Sequence, residues 1–390
     1  MRPGTHAAAA DRQSDSQNMS PLDDMIQSIT ALARARIAGR AEIYNPAQPF
    51  PFDIWAEMGR CGMLGLGLPR EYGGGGMDYA GLISACVAFV HAGRNPGLAS
   101  AWLSHTLIGR LILANSGSAE QKQRYLPQLA TGALTAAVAI SEPNAGAHPK
   151  RLTSIARREG EFWVLNGEKA WLTNGPIAGL YIVLAISEQT GERKQFSAYL
   201  VPRDTPGLTQ TDAGSVDFLR PTRHGGLSLK EVRIPAANLL GPAGQAFETI
   251  SKPLRAVEDV LGLGIGLGGR AALLDLLVAA RRETGRDTSE EQFSLLGELA
   301  ATQSALQILT AILAERIDQN TGFDLTGPLL AARSLSRQFL ISFETCLNSL
   351  QIPENIELLR LFRDITKSGG LASSVDRAKQ VQLGQSLIRI

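Results

Sequence analysis

Hydrophobic positions recur along this chain with two different periods. From about Pro21 to Gly132 they fall three and four residues apart, the spacing of one face of an α-helix. The stretches LDDMIQSITALARARIAGRAEIY (22–44) and DIWAEMGRCGMLGL (53–66) both show it, and the same spacing predicts helices over Tyr79–His91 and Ala99–Asn115. Between them, EYGGGG at Glu71–Gly76 is a glycine-rich turn. In SAEQKQRYLPQLATG, Ser118 is placed to cap a helix that ends near Gly132.

The period then falls to two. TAAVAIS, SIARREGEFWVLNGEKAWLTNG, YIVLAIS and FSAYLVP alternate apolar and polar residues, are rich in β-branched and aromatic side chains, and are separated by Gly, Pro and Asn turns. This predicts a β-domain whose last strand is Leu227–Pro235. After Gly244 the helical period returns in four long runs that end near Leu350, and the pattern weakens from Gln351 onward. The predicted organisation is an unstructured segment 1–20, a helical domain 21–132, a β-domain 133–243 and a helical bundle 244–390.

Composition narrows the function class. The chain has 390 residues with 38 Lys+Arg against 37 Asp+Glu, a net charge of +1. Without a basic excess there is no electrostatic reason to expect a nucleic-acid partner. Cys61, Cys86 and Cys346 are far apart, so they predict neither a metal pair nor a disulfide framework, which fits a reducing, cytoplasmic setting. No uninterrupted apolar run approaches about 18–20 residues, so no membrane span is expected, and no signal-peptide pattern is visible.

One glycine motif is a decoy. Gly264, Gly266 and Gly269 satisfy G-x-G-x-x-G, but a dinucleotide fingerprint needs a preceding strand inside a βαβ unit. Here LRAVEDVL precedes it with a helical period. Small residues that let two helices approach closely are the better reading.

Seven phrases, in order, carry a resemblance: LPREYGGGGMD, EQKQRYLPQLATG, ISEPNAG, LNGEKAWLTNG, AYLVPRDTPG, LKEVRIPAANLLG and RETGR. The chain resembles the acyl-CoA dehydrogenases over almost its whole length. That resemblance implies an α+β multidomain fold: N-terminal helical domain, central β-barrel, C-terminal four-helix bundle. It also implies FAD-dependent α,β-dehydrogenation of an acyl-CoA or carrier-bound thioester, with electrons passed to an electron-transfer flavoprotein. In this chemistry the flavin accepts hydride and the protein supplies binding, orientation and a base.

The resemblance assigns residues one at a time. Ile140 and Ser141 of ISEPNAG, and Trp171 and Thr173 of AWLTNG, match residues that meet the flavin ring; on composition alone Trp171 would be ordinary core. Arg281 and the following Gln292 match a pair that reaches FAD across a subunit interface, implying a homodimer or homotetramer. Thr284 stands where the family has Phe. Ser374 and Asp376 fall on the C-terminal flavin phrase Gly-Thr-Ser-Glu, whose glycine is missing. Ala147 replaces a serine near the thioester, Arg220 matches an arginine before the last strand, and His224 stands where threonine is common.

The catalytic base breaks the pattern. Counting back eight residues from Arg363, where the resemblance places the glutamate, lands on Asn355, and an amide has no useful basicity. Glu354 is adjacent. Glu258 lies one residue beyond a second family position on the helix that opens the C-terminal domain. A third possibility is no glutamate base at all, which would suit a non-catalytic thioester- or partner-binding protein, or a flavin monooxygenase on the same fold.

Overall fold

The computed structural model describes residues 21–319, 324–370 and 373–388, so the expectation for residues 1–20 lies outside it. The N-terminal domain comprises α1 (Pro21–Arg36), α2 (Phe52–Arg60), α3 (Tyr79–Gly93) and α4 (Pro96–Leu107), which runs on through a π-turn (Ile108–Leu113) into α5 (Ala114–Ser116), followed by α6 (Ala119–Thr131). The helical period of the first stretch continues to Tyr44, yet α1 stops at Arg36 and Ala41–Tyr44 forms a separate 3₁₀ turn. Helix α4 begins three residues earlier than its apolar pattern suggests. Asn95 caps it, accepting 2.7 Å from the Leu98 N–H, and Pro96 fills the first helical position. Ser118 and Gln121 form a reciprocal capping box on α6, as Ser118 predicted.

The central domain is one eight-stranded sheet: β1 (Ala136–Ala139), β2 (Ile155–Glu159), β3 (Phe162–Thr173), β4 (Leu180–Thr190), β5 (Arg193–Pro202), β6 (Leu208–Thr211), β7 (His224–Pro235) and β8 (Leu239–Leu240). Strand order is β6-β7-β3-β2-β4-β5-β8, with β1 parallel to β4. The two-residue β8 follows β7, so Leu227–Pro235 is not the last strand; two residues are too few for a period to register. Trp163, Tyr181, Tyr199 and Val232 fill the core of this sheet.

The C-terminal domain comprises α7 (Lys252–Glu283), α8 (Glu290–Gln319), α9 (Thr326–Leu350), α10 (Ile356–Gly370) and α11 (Ser373–Ile388). Helix α7 lies against α3 through its glycines: a Cβ on Gly268 would stand 2.6 Å from the Val87 carbonyl oxygen. Two glycines of the G-x-G-x-x-G motif pack likewise: a Cβ on Gly264 would stand 3.3 Å from Ile83 of α3, and one on Gly269 would stand 2.3 Å from Ile365 of α10. One core unites residues of α1–α6, one face of β4 and β5, and α7–α9, so the three domains are not independent globules.

The expectation about membrane spans needs correction. Three helical segments, Pro96–Ser116, Phe247–Glu283 and Glu290–Gln319, are long and apolar enough to cross a bilayer by length and composition. Searching for uninterrupted apolar runs missed them because single polar residues break each run while leaving the average apolar. Most of the first two is buried inside the fold, whereas α8 leaves much of its apolar surface outside.

Candidate functional site

The ends of β1 and β3 meet at one edge of the sheet. The Ser141 carbonyl accepts 3.0 Å from the Ala170 N–H, which sets Ile140–Ser141 beside Trp171. Across the β3–β7 ladder, Thr173 lies opposite His224. The register shifts between Lys169 and Leu172, and Trp171 adopts φ +66°. That is a β-bulge, a device that re-aims a side chain near functional sites. Here it turns an indole outward: Trp171 is 55% exposed, not core. The Ala213 carbonyl accepts from its N–H at 3.2 Å, and Gly214 packs directly behind it.

Beneath this edge is a buried ion pair. Glu142 accepts 2.9 Å from Lys169 Nζ, with the two side chains 4% and 0% exposed. Burial alone would raise the Glu142 pKa. Lys169 and the Ser154 donors outweigh it and hold the carboxyl down at about 2.

The C-terminal domain closes on the same edge. Asp217, four residues beyond Ala213, accepts from Arg363 at 2.6 Å and from Lys367 at 3.0 Å, while buried Asp364 accepts 3.2 Å from the Leu219 N–H. All three side chains come from α10. On the second turn of α7, Asp259 pairs with Arg333 at 2.7 Å and Lys379 at 3.3 Å. Its neighbour Glu258 is exposed and has no hydrogen bond or ion pair among the described residues. Yet the protein around it disfavours charge: desolvation raises the Glu258 pKa, with Asp259 adding to it and Arg255 opposing it.

The remaining residues are less uniformly placed. Asp376 is buried and bound to Arg333, and to Arg337 at 3.3 Å. Within one chain its carboxylate is thus committed to two guanidiniums. Ser374 falls in the first turn of α11, and its side chain lies outside the description. Asn355 is the N-cap of α10, accepting 3.0 Å from the Leu358 N–H. Glu354 is exposed in the α9–α10 loop, on a cavity of about 230 Å³ lined by Leu347, Asn348, Ile352 and Leu359. None of the sheet-edge residues lines that cavity.

Arg281 and Gln292 do come together. Arg281 donates to the carbonyls of Leu350 (3.0 Å) and Asp287, and Gln292 donates 2.7 Å to the Ser349 carbonyl. Both fasten the end of α9. On a helix rising 1.5 Å per residue, Arg281 is about 35 Å from Glu258 along α7. One chain cannot bring both to one reacting centre. Ala147 is half-buried in the loop after ISEPNAG. Arg220 has a lowered pKa, from burial first and Arg223 second, and no carboxylate partner within 4 Å among the described residues. It helps, after burial, to push the pKa of His224 down to about 4, so that imidazole is neutral at ordinary pH.

Family models for the acyl-CoA dehydrogenase N-terminal domain and middle domain match residues 22–133 and 137–232. The chain is 33% identical over 297 residues to a probable acyl-CoA dehydrogenase, YngJ, of Bacillus subtilis, covering 75% of this chain and 74% of that protein.

The chain belongs to the acyl-CoA dehydrogenase family.

It is 29% identical to mitochondrial isovaleryl-CoA dehydrogenase of Solanum tuberosum, over 93% of this chain and 89% of that one. Its fold matches butyryl-CoA dehydrogenase of Megasphaera elsdenii with a TM-score of 0.81 at 20% identity, over 95% and 99% of the two chains. It also matches the prolyl acyl carrier protein oxidase AnaB, with a TM-score of 0.83 at 22% identity over the same shares. Membership makes the protein an oxidoreductase acting on CH–CH groups, with FAD as cofactor. The sheet edge fits that group: an outward indole face and two half-buried hydroxyls, Ser141 and Thr173, suit a planar heterocycle carrying carbonyl and nitrogen acceptors.

Two features escaped the sequence reading. The Glu142–Lys169 pair lies inside quoted motifs, and its only signal is a lysine next to strand residues that are themselves buried. The Asp217–Arg363–Lys367 cluster joins residues about 146 apart in sequence, and no local pattern announces it.

Proposed function

We propose that the protein converts an acyl-CoA thioester to its α,β-unsaturated product, with Glu258 as the base. One observation carries this reading. Glu258 is an exposed carboxylate on α7 without a partner among the described residues, and its pKa is raised above the ordinary carboxylate value, by desolvation first. In this role Glu258 takes the proton from the substrate α-carbon. The hydride acceptor for the β-carbon is the chemistry FAD supplies when bound. Ile140, Ser141, Trp171 and Thr173 hold the ring. Ala147 and Arg220 border the thioester, where Arg220 brings a positive charge with no ion-pair partner within 4 Å among the described residues. Arg281 and Gln292 serve the cofactor of a neighbouring copy, which is consistent with their distance from Glu258. Electrons pass to an electron-transfer flavoprotein.

The test is anaerobic. Purified protein carrying about one FAD per subunit is mixed with a panel of acyl-CoAs, and the flavin absorption is followed. Bleaching by one chain class supports dehydrogenation. A second reading, thioester binding without turnover, is favoured by Asn355 serving as a helix cap and Asp376 being held by two arginines. It predicts a perturbed flavin spectrum with no bleaching by any acyl-CoA.

A further inference from the structure

The buried pair beneath the sheet edge does more than fill space. Lys169 Nζ donates to Glu142 Oε1 at 2.9 Å and to the Ile140 carbonyl at 3.2 Å. Glu142 Oε1 also accepts from the Ser154 N–H at 2.9 Å, and Oε2 accepts from the Thr153 N–H at 2.7 Å and the Thr153 hydroxyl at 2.8 Å. Three segments therefore converge on two side chains: the end of β1, the approach to β2, and β3 two residues before Trp171. The adjacent Ser141 carbonyl takes the Ala170 N–H, so β1 and β3 are tied at two successive residues.

A buried ion pair is a poor device for raising stability, because desolving both charges offsets their attraction. It is a good device for fixing register, since any other alignment leaves a charge buried and unpaired. Register needs fixing here. The bulge between Lys169 and Leu172 adds an unpaired residue, and a one-residue slip would turn Trp171 and Thr173 to the opposite face.

We propose that Glu142 and Lys169 are positioning residues that hold the flavin-contacting ends of β1 and β3 in their working alignment. The proposal rests on the reading that Ile140, Ser141, Trp171 and Thr173 contact the flavin. It assigns the pair no contact with flavin or substrate.

Lys169→Met keeps the side-chain stem and removes the ammonium. Thr153→Val removes only one donor to Glu142 and is the milder change. Each holoprotein is studied at saturating added FAD, so that weaker binding alone does not move the readouts. The measurements are the visible flavin band, the flavin midpoint potential and the rate of bleaching by the best acyl-CoA. We expect Lys169→Met to displace the band and the potential and to slow bleaching by about tenfold or more, the scale of a small misplacement of reacting groups. Thr153→Val should shift all three in the same direction by less. If Lys169→Met does not fold, the Thr153→Val shifts decide the matter. Wild-type band, potential and rate at saturating FAD in the variants that fold would overturn the proposal and leave the pair a purely structural one. Wild-type protein that takes up no FAD would overturn the flavin reading and this proposal with it.

Discussion

At the scale of single residues, the decisive contrast is between two carboxylates with opposite surroundings. Glu142 is held ionised by Lys169 and is fully committed; Glu258 is exposed, unpartnered among the described residues, and its pKa is raised by desolvation and, less, by Asp259. A general base acts when ionised. Because the Glu258 pKa is raised, turnover should be full at alkaline pH and fall as pH drops through a value above the ordinary carboxylate range. Steady-state rates across pH check this, and Glu258→Gln should erase that limb. The same substitution should slow turnover roughly 10²–10⁴-fold while leaving FAD bound. With Glu258 as the base, Glu354→Gln should turn over like wild type. If both variants bleach at the wild-type rate, Glu258 is not the base. Sequence could nominate Glu258 from its place on a helix but could not rank it over Glu354. Ranking depends on what surrounds each side chain, and Asp376 shows the same blindness: its two arginine partners lie some forty residues away in the chain.

Among elements, what was legible depends on whether the signal is local. Caps and periods are local, so α3, α4 and α6 were readable to within a few residues. The bulge in β3 is a relation between two strands and left no trace in one of them. Gly214 shows how the bulge is supported: it has φ +81°, and an added Cβ would stand 2.4 Å from the Trp171 nitrogen. Gly214→Ala should cost about 1–3 kcal/mol and push Trp171 from its position, seen as lower thermal stability with weaker FAD binding. Unchanged melting and FAD affinity would mean that the loop yields freely. Helix α7 offers a matched pair of tests. Gly268→Leu forces a side chain against the Val87 carbonyl, 2.6 Å from its Cβ, and should destabilise by about 1–3 kcal/mol. Gly262→Ala, with nothing within 4 Å, should instead stabilise by up to about 1 kcal/mol through helix propensity. Denaturant unfolding of both variants checks the sign at each site.

For the molecule as a whole, the argument turns on length and on surface. Helix α7 separates Glu258 from Arg281 by about 35 Å, so both can serve one catalytic unit only if a second chain supplies the second residue. The surface agrees. Ile308 and Ile312, one turn apart on α8, are 64% and 48% exposed; Phe293 on the same helix and Ile341 on α9 are 62% and 61% exposed. Apolar residues gathered on two neighbouring helices mark an interface more often than a free face. The protein should therefore run as a dimer or tetramer in light scattering after size exclusion. Ile308→Glu with Ile312→Glu places two charges where apolar contact is needed and should yield a smaller species. Its fold should survive, because both side chains already face out. If Arg281 reaches the cofactor across the contact between copies that this face forms, the smaller species should also bind FAD more weakly, and dilution of wild-type protein should release FAD as it dissociates. A double variant that becomes monomeric yet keeps FAD at wild-type affinity would separate assembly from cofactor binding, and would confine Arg281 to the role visible within one chain: fastening the end of α9 through the Leu350 carbonyl.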